Sequence, residues 1–323
     1  MGVTKQRRRA FITGVAGQDG RILAARLLGE GMEVHGLIFD DDDGAASLPA
    51  GVIAHHGNLG DPGGIRSLVL EIAADEVYNL GGISSVAFSW KHPALTGLVS
   101  GVGAVAVMDA ARELRQSTNP GVRVLQASSS EIFGHAERAP QTETTPLAPV
   151  SPYGAAKAYA HQHAAMFRAE GLPVSTVILY NHESPERPET FVTRKITAGA
   201  ARIAKHGGTL SLGNLEARRD WGWAPDYVDA MVRAIRHPVA DDYVIATGET
   251  HSVADFAEAA FRHAGITDWR AHVVVDPALV RPLDPAMQVG DATKARETLG
   301  WQPTVNFDQL VKNMVDHDLA LLS

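Results

Sequence analysis

A glycine-rich turn set between a strand-length apolar run and an amphipathic helix constrains this chain more than any other feature. Ala10-Phe11-Ile12-Thr13 leads into Gly14, Gly17 and Gly20, and Arg21 to Glu30 follows with Ile22, Leu23, Leu27 and Leu28 at helical spacing. In that context the first glycine permits a tight turn. The second lets backbone approach a pyrophosphate, and the third lets the helix pack closely, its amino terminus facing the negative charge. Gly31 is placed to end the helix. A glycine-rich turn without a ligand is the plainer alternative.

Strand-length runs recur through the first half at Glu33 to Ile38, Glu76 to Leu80, Val122 to Ala127 and Leu172 to Tyr180, separated by longer helical patterns. That alternation predicts repeated βαβ units and an α/β, doubly wound parallel sheet, whose ligands bind beyond the carboxyl ends of the strands. Beyond residue 180 the pattern loosens, and Tyr243-Val244-Ile245-Ala246 reads as a strand returning to the sheet. The expected division is therefore a dinucleotide-binding domain over 1–180, with a returning segment near 220–250. A smaller, discontinuous substrate-binding lobe is expected mainly over 181–323.

A net charge of -8 over 323 residues supplies no bulk basic field, which argues against nonspecific nucleic-acid binding. With no cysteine, disulfides and thiolate chemistry are excluded, and a reducing compartment fits. No uninterrupted apolar stretch reaches roughly 18 residues, so no membrane span is expected and the protein reads as cytoplasmic. The 14 histidines show no spacing typical of a metal site.

Tyr153 and Lys157 stand four residues apart, on one face of a helix if Ser151 to Lys157 is helical. A phenol titrates near about 10, and a neighbouring ammonium favours its phenolate, bringing it closer to the range of a general base. Asp40 follows the second strand about 20 residues after Gly20, where a carboxylate can bond a ribose 2′-hydroxyl and repel a 2′-phosphate. That favours NAD over NADP, although Asp40 also opens the acidic run Asp40 to Asp43, which can be a solvated loop. Asn58 and Leu59, after a third strand, suit an adenine, as any polar loop there would.

With these pieces in place the chain resembles the extended short-chain dehydrogenase/reductase superfamily and, within it, the GDP-mannose 4,6-dehydratase family. The resemblance spans nearly the whole chain. It rests on Ile12 to Gly20, Asp75 to Leu80, Gln126 to Glu131, Ser151-Pro152-Tyr153, Asn181-His182-Glu183-Ser184-Pro185, Glu189 to Ile196, Arg219-Asp220-Trp221-Gly222, Tyr243 to Gly248 and Val289-Gly290-Asp291. Several positions depart from the family pattern. Ser129 replaces a threonine, Phe133 a tyrosine, and Phe39-Asp40 an arginine pair associated with NADP. Gly81-Gly82-Ile83-Ser84-Ser85 replaces Ala-Ala-Gln-Ser-His, and the segment after Asp43 is shortened.

The resemblance implies a Rossmann-like fold and an internal redox cycle on a nucleotide sugar, GDP-mannose: oxidation at carbon 4, loss of water across carbons 5 and 6, and return of hydride to carbon 6. Tyr153 would take the 4-hydroxyl proton, Lys157 would assist it and hold the nicotinamide ribose, Ser129 would hold the 4-oxygen, and Glu131 would serve the elimination. NAD or NADP would be held by Gly14, Gly17, Gln18, Asp19, Gly20, Asp40, Asn58, Leu59 and Leu80 together with Tyr153 and Lys157. Ser84, Asn181, Lys195, Arg219 and Arg281 would meet the substrate. It further implies a homodimer or homotetramer, with helices near Val99 to Leu114 and Ala156 to Glu170 suited to the interface. Sugar-nucleotide epimerases and 4-ketosugar reductases share this fold, and the substitutions at Gly81 to Ser85 keep them open as an alternative. A noncatalytic nucleotide-sugar binder would have no chemical need for Tyr153, Lys157 and Glu131 together.

Overall fold

The computed structural model describes residues 7–39, 46–280 and 283–323. Asp40 and Arg281, assigned above to cofactor and substrate, lie outside the described residues. In chain order the strands are β1 (Arg9–Thr13), β2 (Glu33–Ile38), β3 (Ile53–His56), β4 (Glu76–Asn79), β5 (Arg123–Ser129), β6 (Val174–Leu179), β7 (Asn181–Glu183), β8 (Leu210–Leu212), β9 (Arg218–Arg219), β10 (Trp221–Trp223), β11 (Asp242–Ile245), β12 (His251–Ser252), β13 (Val273–Val275) and β14 (Met287–Gln288). The α-helices are α1 (Gln18–Gly29), α2 (Pro62–Ile72), α3 (Val86–Lys91), α4 (Pro93–Thr96), α5 (Gly103–Ser117), α6 (Pro152–Ala169), α7 (Val192–His206), α8 (Ala224–Arg236), α9 (Val253–His263), α10 (Thr293–Leu299) and α11 (Phe307–Leu321).

Two compact units are present. Among the described residues, the first draws on 7–39, 46–134, 146–178 and 228–243, the second on 135–145, 179–227, 244–280 and 283–323. The main sheet has seven strands in the order β11-β6-β5-β4-β1-β2-β3, and β1 pairs in parallel with both β2 and β4. Strand order reverses between β1 and β4, the topological switch point at whose carboxyl ends such sheets place ligands. β4 is buried along its whole length, as a strand covered on both faces must be.

Boundaries differ from the sequence reading in instructive ways. α1 begins at Gln18 rather than Arg21, because the chain has completed its turn by Gly17 and Gly20 already lies in the first helical turn. β5 runs on to Ser129, two polar residues past its apolar run, and both of them are buried. β6 begins only at Val174, after Pro173, which brings no N–H to a ladder.

One core cluster of the first unit joins α2, α5, β1 and β4 through Phe11, Ile65, Val69, Val77, Val107, Met108 and Leu114. The helical run Pro93–Ser117, which includes a π-helical stretch at Gly97–Val102, is long and apolar enough by length and composition to cross a membrane. Half of its most apolar window is buried inside the protein, as in a core helix. In the second unit α7, α9 and α11 close over Trp221, with Phe256 edge-on to its ring at 5.1 Å, and Arg194 pairs with Asp318 inside that cluster.

Candidate active site

At the carboxyl end of β1, Gly14 adopts φ +72° and its carbonyl accepts the Gly17 N–H at 3.0 Å. A Cβ on Gly20 would lie 2.3 Å from the Gly14 oxygen, and one on Gly14 2.8 Å from Gly81 Cα. The glycines at 14 and 20 are thus demanded by backbone packing. Gly17 is exposed and is the N-cap of α1, so no capping side chain stands over that helix end. An uncapped helix amino terminus behind a glycine turn fits a dinucleotide diphosphate. Gln18 is buried and its amide donates to Asp19 at 3.1 Å.

The residues expected near the adenine divide in role. Asn58 turns its side chain back onto the Gly60 N–H at 2.7 Å, and Leu59 is buried in the core, where its side chain would be 2.7 Å from a Cβ on Gly81. Leu80 is half-buried directly after β4.

Ser151 caps α6 by accepting the Gly154 N–H, and Pro152 occupies the first helical position, where its missing N–H costs nothing. Tyr153 and Lys157 follow on one face, with Lys157 Nζ 5.9 Å from the Tyr153 ring centroid. Lys157 is only 6% exposed, and its ammonium donates to the Ala127 carbonyl at 3.0 Å. Burial drives its pKa down from 10.5 to about 8, against an opposing pull from Asp19.

The end of β5 brings Glu131 to the first turn of α6. Ser129 Oγ accepts the Glu131 N–H at 3.3 Å, starting the 3₁₀ turn Ser130–Ile132, which holds Glu131 half-buried. A Cβ on Gly154 would stand 2.5 Å from the Glu131 carbonyl oxygen, so the first turn of α6 rests against that backbone. Ser129, Glu131, Tyr153 and Lys157 therefore share one locality, beside the Gly14 turn's own sheet end.

A buried polar chain beneath this locality escaped sequence reasoning. Thr13 accepts the Gly81 N–H at 2.9 Å and donates to Asn79 at 2.9 Å, and Asn79 donates to Gln126 at 2.6 Å. Gln126 in turn donates at 2.8 Å to the same Ala127 carbonyl that holds Lys157. Polar residues closing otherwise apolar strand runs are the signal that could have found them. Ser84 is exposed on the loop that follows Gly81.

In the second unit Asn181 and Lys195 are half-buried on β7 and α7. Arg219 differs from a waiting surface cation: 6% exposed, it donates to the Arg218 and Pro285 carbonyls and pairs with Asp284 at 2.7 Å. Its neighbour Asp220 gathers the Thr247 and Gly248 N–H groups; burial pushes this carboxyl up while those bonds pull it down.

A family model described as GDP-mannose 4,6 dehydratase matches residues 11–314. The chain is 43% identical over 333 residues to GDP-mannose 4,6 dehydratase 1 of Arabidopsis thaliana, covering 99% of this chain and 92% of that one. To the Homo sapiens GDP-mannose 4,6 dehydratase it is 40% identical over 350 residues, with 98% and 93% covered. Among solved structures, a UDP-glucose 4-epimerase of Thermotoga maritima with UDP-glucose superposes with a TM-score of 0.87 at 22% identity, covering 98% of this chain and 100% of that one. The Thermus thermophilus UDP-glucose 4-epimerase in complex with NAD gives 0.83 at 26% identity, covering 96% and 98%.

Proposed function

The chain belongs to the GDP-mannose 4,6-dehydratase family, and on that premise we propose that it converts GDP-mannose to GDP-4-keto-6-deoxymannose by internal oxidation, water elimination and reduction. The observation that supports the reading, beyond membership, is the packing of Gly154 on the Glu131 backbone carbonyl, which brings the residue proposed as acid/base to the first turn of the helix that carries Tyr153 and Lys157. An epimerase or reductase needs the pair but has no elimination for such a carboxylate to serve.

A nicotinamide dinucleotide fits the glycine cradle, because Gly14 and Gly20 let the turn and helix pack closely on their own backbone and Gly17 leaves the end of α1 uncapped. When bound, it would supply the hydride acceptor for sugar carbon 4 and the hydride donor for carbon 6. Gly14, Gly17, Gln18, Asp19 and Gly20 would hold its diphosphate, Asn58, Leu59 and Leu80 would border its adenine side, and Asp40 would select NAD over NADP. Tyr153 takes the 4-hydroxyl proton. Lys157 supplies positive charge beside that phenol, and Ser129 steadies the 4-oxygen through its hydroxyl. The ketone so formed acidifies the proton on carbon 5, which Glu131 removes before delivering a proton to the departing 6-hydroxyl. Ser84 is proposed for the hexose, and Asn181, Lys195, Arg219 and Arg281 for the nucleoside diphosphate, Arg for its planar fork.

We further assign a cytoplasmic homodimer or homotetramer, on the exposed apolar side chains Leu95, Leu98, Val102, Tyr159 and Met166. Light scattering of the Val102→Glu protein against the parent tests that assignment, with dissociation expected. The function is tested by incubating the protein with GDP-mannose and NAD, then NADP, and weighing the sugar nucleotide. Loss of one water without net cofactor reduction is expected, faster with NAD; an unchanged mass in both overturns the reading.

A further inference from the structure

The first turn of α6 leaves one donor for something outside the helix to satisfy. Pro152 has no N–H, Ser151 Oγ takes that of Gly154, and the Ser151 carbonyl takes that of Ala155 at 2.9 Å. The N–H of Tyr153 itself goes to Ser89 Oγ on α3, at 3.2 Å. Ser89 is 0% exposed, and its own hydroxyl proton is committed to the Val86 carbonyl at 2.7 Å. A serine hydroxyl has one proton, so toward Tyr153 it can only accept, and the direction of the bond is fixed.

α3 is in turn tied to the loop that follows β4. Ser85 caps it by accepting the Phe88 N–H at 3.1 Å, and the Ser85 carbonyl takes the Ser89 N–H at 3.0 Å. Two residues earlier the Ile83 N–H goes to Ser100 Oγ, in the π-helical stretch, at 2.8 Å, and Gly81 N–H goes to Thr13. π-helical bulges inside helices commonly mark sites where a side chain is re-aimed for a task. The segment 81–85 is thus anchored to the end of β1 at Gly81 and to Ser100 at Ile83, and it leads at Ser85 into α3, whose Ser89 holds the backbone of Tyr153.

We propose that Ser89 is a positioning residue: it fixes the backbone of Tyr153, and so the phenol, relative to the loop carrying Ser84. This rests on the assignment of Tyr153 as the base. Small displacements of a reacting group are costly to rate even when binding is intact. Ser89 touches neither sugar nor cofactor in this account and acts only through Tyr153.

The test uses the full-length enzyme, GDP-mannose and its 4-deuterated form, comparing the parent with Ser89→Ala and Ser89→Thr. Ser89→Ala is expected to lower kcat about tenfold, leave KM and cofactor Kd little changed, and raise the deuterium isotope effect as transfer at carbon 4 becomes limiting. Ser89→Thr, which keeps the acceptor, recovers most of the rate. A variant with parental kcat and isotope effect overturns the proposal, as does a loss of rate with an unchanged isotope effect, the mark of a merely smaller folded fraction. Should Ser89→Ala be insoluble, Ser89→Cys keeps the volume while weakening the acceptor and is read the same way. A parent enzyme that removes no water from GDP-mannose instead fails the dehydratase reading, a result distinct from any of these.

Discussion

Lys157 reaches across from α6 to the carbonyl of Ala127, 3.0 Å away, and the burial that comes with this position drives its pKa down to about 8. One carbonyl replaces the hydration of an ammonium only in part. Between about 8 and 10.5 the unfolded chain keeps a proton that the folded protein has released. Stability without cofactor therefore rises with pH across that window and is flat below it. Urea denaturation at pH 7.5 and 9.5 is expected to show the parent gaining about 2 kcal/mol relative to Lys157→Met. The same substitution should lower kcat by about a hundredfold or more, while the apo protein is as stable as the parent or more so at pH 7.5. A parent that loses stability relative to the variant on raising the pH would sink this account of the lysine.

Glu131 is reserved in this mechanism for the proton on carbon 5, so its loss should divide the reaction rather than abolish it. Glu131→Gln is expected to oxidise carbon 4 yet retain the 6-hydroxyl, with overall water loss down by about 10²–10⁴. Nuclear magnetic resonance in deuterated solvent checks this through exchange at carbon 5, which should stop. Parental exchange in the variant would assign the proton to another group.

The contact between Gly154 and the Glu131 carbonyl makes a clear steric prediction. A methyl group there would sit 2.5 Å from that oxygen and 3.2 Å from Pro149 Cβ, so the start of α6 must move. Gly154→Ala should cost about 1–3 kcal/mol and lower kcat with it, since Tyr153 moves too. Gly29, the last residue of α1, has nothing within 4 Å of a built Cβ. Gly29→Ala should therefore stabilise by roughly 0.5–1 kcal/mol, giving a matched control in thermal melts.

Much of this was legible in the chain because local chemistry and tertiary demand agree there. Gly14 and Gly20 announce a turn that backbone packing reserves for glycine, and the spacing of Tyr153 and Lys157 announces the helix face that carries them. Ser89 and Gln126 were not legible. Each is a small polar residue whose significance comes from a partner far along the chain, Tyr153 for Ser89 and Asn79 for Gln126. Leu59, read as suited to an adenine, is also a core residue, a packing role that its place beside a polar loop did not announce. Arg219 adds that a sequence gives the charge of a residue but not the carboxylate that pairs with it.

That pairing supplies the last prediction. Arg219 and Asp284 have side chains 7% and 17% exposed, so removing the cation leaves a carboxylate in poor solvent contact and two carbonyls without their donor. Arg219→Met should lower stability by about 3 kcal/mol, far more than an exposed ion pair is worth. Asp284→Asn should cost less, because its amide oxygen still accepts from the guanidinium. If Arg219 also grips the diphosphate, the folded fraction of Arg219→Met will bind GDP at least about tenfold more weakly by calorimetry. Parental GDP affinity in a destabilised Arg219→Met protein would leave the residue a purely structural role and move the diphosphate to other cations.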